Sequence, residues 1–574
     1  MKRFLGFLKQ YRVQAILGPL FKMLEAMFDL FVPLVMASII NVGIAGGDRG
    51  YILSRCGILV LLGLVGLTCS VTAQYFSAAA AIGVATGIRR ELFSNILSLS
   101  AGQTDTEGTS TLITRLTSDI NQVQSGLNLF LRLFLRSPFI VFGSMVMAFT
   151  INVRAALIFA AVIPVLSLIV FGVMRWTNPR YKAVQGRLDG VMVALRENLT
   201  GVRVVRAFGR EQDEVRRFEN ANSEMTTMQL QVGKISALMN PMTYVVVNIG
   251  IIAVLYVGGR QVDGGVLLSG DVYALINYMS QILVELVKLA NVIISATKAM
   301  ACFSRIQAVL DRKPDMVYPE TPTGAQKQGE AIRFSHVSLQ YAGAGAESLT
   351  DIDFAVPCGQ TLGVIGGTGS GKSSVVSLML RFYDATAGQV EMLGRPAAAW
   401  PAEQLRGMVG VVPQKARLFT GTIRSNLLWG NENATEQQLW QALETAQAAD
   451  FVRQKPLGLD EPVEQGGRNF SGGQRQRLTI ARALVKMPRV LILDDSASAL
   501  DFATDAALRR AIAALPGEMT VVIVSQRASS LQHAQQILVL DDGRQVGLGS
   551  HSSLLESCPV YREIYESQFK GGEQ

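Results

Sequence analysis

The first half of the chain alternates long apolar runs with basic, mixed segments. A helix needs about 20 apolar residues to cross a hydrocarbon core of roughly 30 Å. Ala155–Met174 and Ile235–Gly259 reach that length unaided, and Cys56–Ile88 carries no charge at all. Three further stretches, 13–45, 126–151 and 265–297, are apolar but interrupted by charges. Together they predict six membrane-spanning helices. Arg89, Arg90 and Arg115 lie between the second and third spans, and Arg175, Arg180, Arg187, Arg196, Arg203 and Arg206, among others, between the fourth and fifth. The alternate loops, near Gly46–Gly50, Asn152–Arg154 and Arg260–Gly265, are short and nearly neutral. Cytoplasmic loops collect Lys and Arg, so both termini are expected in the cytoplasm.

The opening MKRFLGFLKQYR interleaves Phe4, Leu5, Phe7 and Leu8 with Lys2, Arg3, Lys9 and Arg12, which predicts a helix lying in the membrane interface rather than a cleaved signal. The first span opens so soon after it that no processing peptidase domain is expected. In the long inner loops Leu112, Leu116 and Ile120, and Val215 and Phe218, recur at helical spacing. The spans are therefore expected to continue as helices well past the lipid, reaching more than about 40 Å out and back between Arg175 and Lys234.

Charged residues inside spans are costly and usually face protein or water. Lys22, Glu25 and Asp29 share a face of the first span, Arg132 and Arg136 a face of the third, and Glu285 and Lys288 a face of the sixth. All fall in the inner half, which predicts a polar-walled cavity open toward the cytoplasm. The competing reading is that Lys22 and Arg132 snorkel while the others pair as glue between helices.

Composition narrows the class. Of 574 residues 49% are apolar and only 17% charged, which excludes a disordered or fibrous chain. The net charge of +8 is accounted for by the basic inner loops, so no nucleic-acid partner is expected. Cys56, Cys69, Cys302, Cys358 and Cys558 form no CxxC pair and have no His at metal-ligand spacing; they indicate only a reducing or membrane setting.

From Asp311 the polar, proline-bearing segment 311–330 reads as a linker between a membrane domain at 1–310 and a globular domain at 331–574. Short β-rich runs then alternate with helical ones, the habit of an α/β domain with parallel strands. Gly366-Gly367-Thr368-Gly369-Ser370-Gly371-Lys372-Ser373 fits G-x-x-x-x-G-K-[ST], follows the apolar strand Thr361–Ile365 and opens a helix at Ser374. Glycines let backbone N–H groups wrap phosphates, Lys372 reaches the β and γ oxygens, and Ser373 offers a hydroxyl to Mg²⁺. A second apolar strand, Val490–Leu493, ends in Asp494 and Asp495, and a carboxylate there suits Mg²⁺. Between them lie Ser471, Gly472, Gly473 and Gln474, a hydroxyl and bare amides at a helix N-terminus, suited to a γ-phosphate.

With this SGGQ turn the sequence resembles the ATP-binding cassette (ABC) family. The resemblance implies ATP and Mg²⁺ as ligands, held by Gly366 to Ser374, with Ser373, Gln414 and Asp494 toward the metal. It implies that Tyr341 stacks on adenine and that Ser498–Asp501 crosses between paired cassettes. The membrane half is similar to type IV exporters, in which six spans precede one cassette, and segments 107–116 and 209–219 resemble the two coupling helices. The implied fold is a multi-domain membrane protein, a six-helix all-α transmembrane domain with long cytoplasmic extensions followed by an α/β P-loop nucleotide-binding domain.

The pattern is broken at three places. Asp495 stands where the family has glutamate, Gln526 where it has histidine, and Glu464-Gln465-Gly466-Gly467 where a Gly-Glu-Arg-Gly-like run is usual. His336, His533 and His551 lie elsewhere. Weak hydrolysis is therefore expected at this chain's own site. The expected assembly is a heterodimer with a second half-transporter whose glutamate is intact, in a bacterial cell membrane, exporting amphipathic or hydrophobic compounds of the multidrug type. The rivals are a lipid flippase or peptide exporter of the same fold, or an ATP-gated channel or regulatory subunit.

Overall fold

The computed structural model describes residues 2–324 and 326–569. The chain forms two compact units: Met1–Leu97 with Ser110–Arg312, and Ser98–Thr109 with Lys313–Gln574.

The first unit is helical. Among the described residues six helices are long and apolar enough to cross a membrane: Arg12–Ile44, Arg49–Ser98, Thr109–Ile151, Val153–Thr200, Glu211–Asp263 and Ser269–Leu310. The charges that interrupt three apolar stretches do not end the helices, because a helix satisfies its backbone internally and only the side chains need partners. Val153–Thr200 and Glu211–Asp263 have 48 and 53 residues. At 1.5 Å per residue that is about 70 to 80 Å, more than twice the hydrocarbon thickness. They pack along each other. Ser269–Leu310 forms the centre of the unit, with Leu275, Tyr278, Met279 and Ile282 fully buried and the Tyr278 hydroxyl donating to the Leu30 carbonyl.

Six of the seven intramembrane charges join one network. Lys288 Nζ lies 2.9 Å from Glu285 Oε1, Arg136 pairs with Glu285 and, at 2.8 Å, with Asp29, and Ser137 donates to Glu285 at 2.8 Å. Glu25 lies 4.0 Å from Arg136 and pairs with Lys22, which donates to Ser70 at 3.0 Å. Beside this row is a cavity of about 380 Å³. Asp29, Arg136, Glu285 and Lys288 thus both pair and wall a cavity, while Lys22 and Glu25 pair without lining it. Arg132 is the exception and bonds Gln74 instead. Phe134 and Leu135 keep right-handed helical φ and ψ, so Arg132 and Arg136 lie one turn apart on a shared face as expected, and Arg132 leaves the network because its guanidinium reaches Gln74.

The second unit is built on a mixed sheet. Its strands are β1 (Glu330–Leu339), β2 (Leu349–Pro357), β3 (Thr361–Gly366), β4 (Ala387–Met392), β5 (Arg395–Pro396), β6 (Val409–Val412), β7 (Gly421–Thr422), β8 (Pro462–Val463), β9 (Val490–Asp494), β10 (Thr520–Val524), β11 (Gln536–Asp541) and β12 (Arg544–Gly549). The order is β5-β4-β1-β2-β12-β11-β3-β10-β9-β6, with β7 and β8 paired separately. Strands β11, β3, β10, β9 and β6 are parallel, as the alternating pattern predicts. Their continuous apolar runs suit burial on both faces. The layer β1, β2, β4 and β5 is antiparallel, which was not anticipated. The signal was there: in β1 buried Ile332 and Phe334 alternate with half-exposed Arg333 and Ser335, the period of a sheet buried on one face. A separate helical core gathers Ile423, Leu427, Leu439, Leu443 and Ile480.

Both short turn helices lie upstream of the segments read from the sequence. The first is Ala101–Glu107, not 107–116, and it groups with the second unit. The second is Val202–Ala207, not 209–219. The Ser100 side chain caps the first by accepting from Gln103 N while the Gln103 side chain accepts from Ser100 N, and Gly108 at φ +77° ends it. The spacing of Leu112, Leu116 and Ile120 belongs to the long helix that follows. Among its described residues the segment after Lys313 has no helix or strand before β1, yet Tyr318, Thr323 and Lys327 hydrogen-bond it to Arg381, Ala399 and Gly394.

Candidate nucleotide site

An open parallel sheet binds ligands beyond the carboxyl ends of its strands. At that edge β3 delivers Gly366 to Ser373, β9 delivers Asp494 and Asp495, β10 delivers Ser525 and Gln526, and β6 delivers Gln414. The strand order brings these four separate segments together, with β10 lying between β3 and β9.

The P-loop glycines serve different ends. Gly369 and Gly371 have φ of +86° and +94°, and a Cβ on Gly371 would strike Leu349 and the Ser348 carbonyl. Gly367 is under no such constraint: a Cβ there would meet nothing within 4 Å. Among the described residues nothing in the packing requires that glycine, and the open face it leaves fits a phosphate approaching the backbone. Lys372 Nζ donates to the carbonyls of Gly366 at 2.9 Å and Gly367 at 2.5 Å. Burial lowers its pKa, against the opposing pull of the Asp495 and Asp494 carboxylates.

Burial pushes the Asp494 carboxyl up, and the like charge of Asp495 adds to this while Lys372 opposes it. Among the described residues neither aspartate forms an ion pair. Two adjacent carboxylates short of cationic partners, with the Ser373 hydroxyl opening the neighbouring helix, are an oxygen donor set that fits a hard divalent cation. Asp495 has φ +46°, in the left-handed region that a non-glycine residue seldom occupies. It is held there by its N–H donating to the Val524 carbonyl at 2.9 Å and by the Ser498 hydroxyl donating to its own carbonyl at 2.8 Å. Gln414 Nε2 donates to Asp495 Oδ2 at 3.3 Å.

Tyr341 sits beside the loop, its hydroxyl donating to Ser374 Oγ at 3.0 Å. Its ring meets Tyr383 edge-on, centroids 4.9 Å apart, and the Tyr383 hydroxyl donates to Asp105 on the short helix Ala101–Glu107. Burial and the Asp105 carboxylate push the Tyr383 phenol well above its ordinary pKa. Neither Tyr383 nor Asp105 was picked out from the sequence; they belong to no motif, and only folding sets them side by side. Gln568 was missed for the same reason. It grips the loop after β10 from both sides, donating to the Gln526 carbonyl at 2.7 Å and accepting from Ala528 N at 2.9 Å.

The signature turn is separate from this cluster. Ser471 caps the helix Gly472–Val485 by accepting from Gln474 N at 3.3 Å, and the Gln474 side chain accepts from Ser471 N at 3.0 Å. The Ser471 carbonyl also accepts from Arg475 N at 2.9 Å, and among the described residues none of these bonds leads to the P-loop. Ser471 and Gly472 are exposed, and the following helix packs into the helical core. Asp501, read as part of the loop between cassettes, caps the helix Phe502–Ala513 by accepting from Thr504 N at 2.9 Å.

Residues 15–286 match the model of the ABC transporter transmembrane region, and residues 349–498 that of the ABC transporter cassette. An ABC transporter ATP-binding protein of Mycobacterium tuberculosis is 34% identical over 98% of this chain and 97% of its own. The chain belongs to the ABC transporter family. It is therefore a multi-pass membrane protein whose cassette binds ATP and couples an ATPase reaction to transport. A probable multidrug resistance ABC transporter of Bacillus subtilis is 32% identical over 84% of this chain and 82% of that protein. An ATP-dependent lipid A-core flippase of Chromobacterium violaceum is 28% identical over 99% and 97%. The solved structure of a bacterial Atm1-family ABC exporter with ATP bound superposes with a TM-score of 0.78 at 23% identity, covering 98% of this chain and 99% of that one. The fold is that of an ABC exporter.

Proposed function

We propose that this ABC chain is one half of a heterodimeric exporter that moves amphipathic or hydrophobic compounds out of the cytoplasm, contributing a degenerate ATP site and an intact signature. The observation that carries this reading is the pair Asp495 and Gln526 at the ends of β9 and β10. Lys372, the bare amides from Gly367 to Ser374, and Tyr341 hold the nucleotide. Ser373, Gln414 and Asp494 hold Mg²⁺, which when bound neutralises charge on the β and γ oxygens. A base must come within roughly 2.6–3.2 Å of the attacking water. The Asp495 stem is one C–C bond, about 1.5 Å, shorter than glutamate's. One of its carboxylate oxygens already accepts from Gln414. Gln526 can donate a hydrogen bond but cannot become cationic or pass a proton as histidine does.

Slow turnover here turns the site into a clamp. Ser471, Gly472, Gly473 and Gln474, at the positive end of their helix, complete the partner's hydrolysing site instead. ATP binding favours the paired cassettes, the short helices Ala101–Glu107 and Val202–Ala207 carry that bias, and the spans change their opening by population shift. The termini and the cassette lie in the cytoplasm of a bacterial cell, consistent with the basic inner loops. The relative named as a lipid A-core flippase supports a second reading, in which the cargo is a membrane lipid.

The test is purification of the chain by itself and together with any second half-transporter from the same cells. Slow ATPase alone and brisk ATPase in the mixed pair, with ATP-driven substrate accumulation in inside-out vesicles, support the proposal. A stable self-pair that hydrolyses ATP briskly refutes the degenerate assignment.

A further inference from the structure

We propose that the cavity in the membrane unit is built for a zwitterionic amphipath, a molecule carrying an ammonium and an anionic group close together on an apolar body. This rests on the exporter reading and names the substrate class of its spans.

The cavity wall is an alternating row, Lys288, Glu285, Arg136 and Asp29, each joined to the next by an ion pair. The inner two members are buried, Glu285 at 3% and Arg136 at 9% exposure. The outer two are open, each with 42% of its side chain exposed. Attraction inside the row balances the middle charges and leaves a cation at one end and an anion at the other. Asp29, Lys288 and Arg136 all line the cavity. A lone cation entering it gains Asp29 but lies in the field of Lys288, and a lone anion meets the reverse. A zwitterion laid against the row with opposite polarity pairs with both ends at once and adds no net charge beside it.

Two further observations favour a ligand over mere glue between helices. Among the described residues Arg136 Nε has no acceptor and Gln281 Oε1 no donor, although both residues line the cavity. Buried polar groups seldom stay unpaired, so the wall retains hydrogen-bonding capacity that the fold does not use. In addition, glue needs no space, whereas here Val32, Ile140 and Val284 continue the wall as an apolar surface around about 380 Å³. Small-molecule sites run from roughly 300 to 1,000 Å³.

The test is equilibrium binding to the full chain in its native pairing, without ATP, in uncharged maltoside micelles. Three probes share one tail: dodecylphosphoethanolamine (zwitterion), dodecylamine (cation) and methyl dodecyl phosphate (anion). The wild type is expected to prefer the zwitterion to either single charge by roughly five- to tenfold. Lys288→Gln should erase the preference over the cation, and Asp29→Asn the preference over the anion, so the two variants move selectivity in opposite directions. A wild type that binds all three alike, or variants that weaken all three equally, overturns the inference. Where a variant is not monodisperse, the wild-type ranking decides alone. Because no ATP is used, a failure here leaves the exporter reading to be judged separately by ATP-driven accumulation.

Discussion

The signature flank and the P-loop flank of the cassette differ in how far each satisfies itself. Ser471 and Gln474 close a reciprocal capping box four residues long, with no need of distant partners. On the other flank Lys372 settles on loop carbonyls, Asp494 has a raised pKa, and Asp495 is held in left-handed backbone. Strain of that kind costs of order 1–3 kcal/mol and persists only where the surroundings over-determine it. Here the Val524 carbonyl and the Ser498 hydroxyl do so. The contrast teaches that one flank is a finished local structure offered outward, while the other gathers charges that a charged ligand would stabilise.

The largest effect should come from Lys372→Ala. Removing a charge-assisted contact is expected to weaken nucleotide binding at this chain's own site by roughly 10- to 100-fold. Ser471→Ala should leave that affinity unchanged, as read by titration with a fluorescent ATP analogue. Equal losses in both variants would erase the distinction between the flanks.

Next in size is Asp495→Glu, which lengthens the reach of the carboxylate. Single-turnover hydrolysis at this site should rise by roughly tenfold or more, within the usual range for a positioned base. An unchanged rate would mean that the short stem is not what limits the chemistry.

Ser471→Ala should also cost about 1 kcal/mol of stability through loss of the cap and slow the partner's site. Thr435 caps the helix Glu436–Thr445 with the same reciprocal geometry, away from the signature. Thr435→Ala should therefore cost a similar amount in thermal unfolding while sparing turnover. If both variants slow turnover alike, the signature's effect is one of stability alone.

The smallest effect is expected of Tyr383→Phe, which removes the hydroxyl bonded to Asp105 and keeps the ring against Tyr341. Losing one exposed hydrogen bond, roughly 0.5 kcal/mol, should lower the number of substrates moved per ATP more than the ATPase rate itself. Parallel falls in both would place Tyr383 among purely structural contacts.

Much of this molecule can be read along the chain because its signals are contiguous. Each span is a run of apolar residues, the P-loop is an unbroken glycine-rich stretch, and a capping box such as Ser471 to Gln474 needs only residues three apart. Charges such as Glu25 and Lys288 hid nothing, since a helix closes its own hydrogen bonds whatever its side chains. Local signals misled where a stop mattered: Gly108 and Gly209 end the short helices earlier than the amphipathic spacing suggested. What stayed out of reach depends on pairing between distant segments. The order of β3, β10, β9 and β6, the antiparallel layer, the bond from Tyr383 to Asp105 and the grip of Gln568 on the loop after β10 join residues tens or hundreds apart. Which partners meet follows from how helices and strands pack, a property of the folded whole that no short stretch of residues carries.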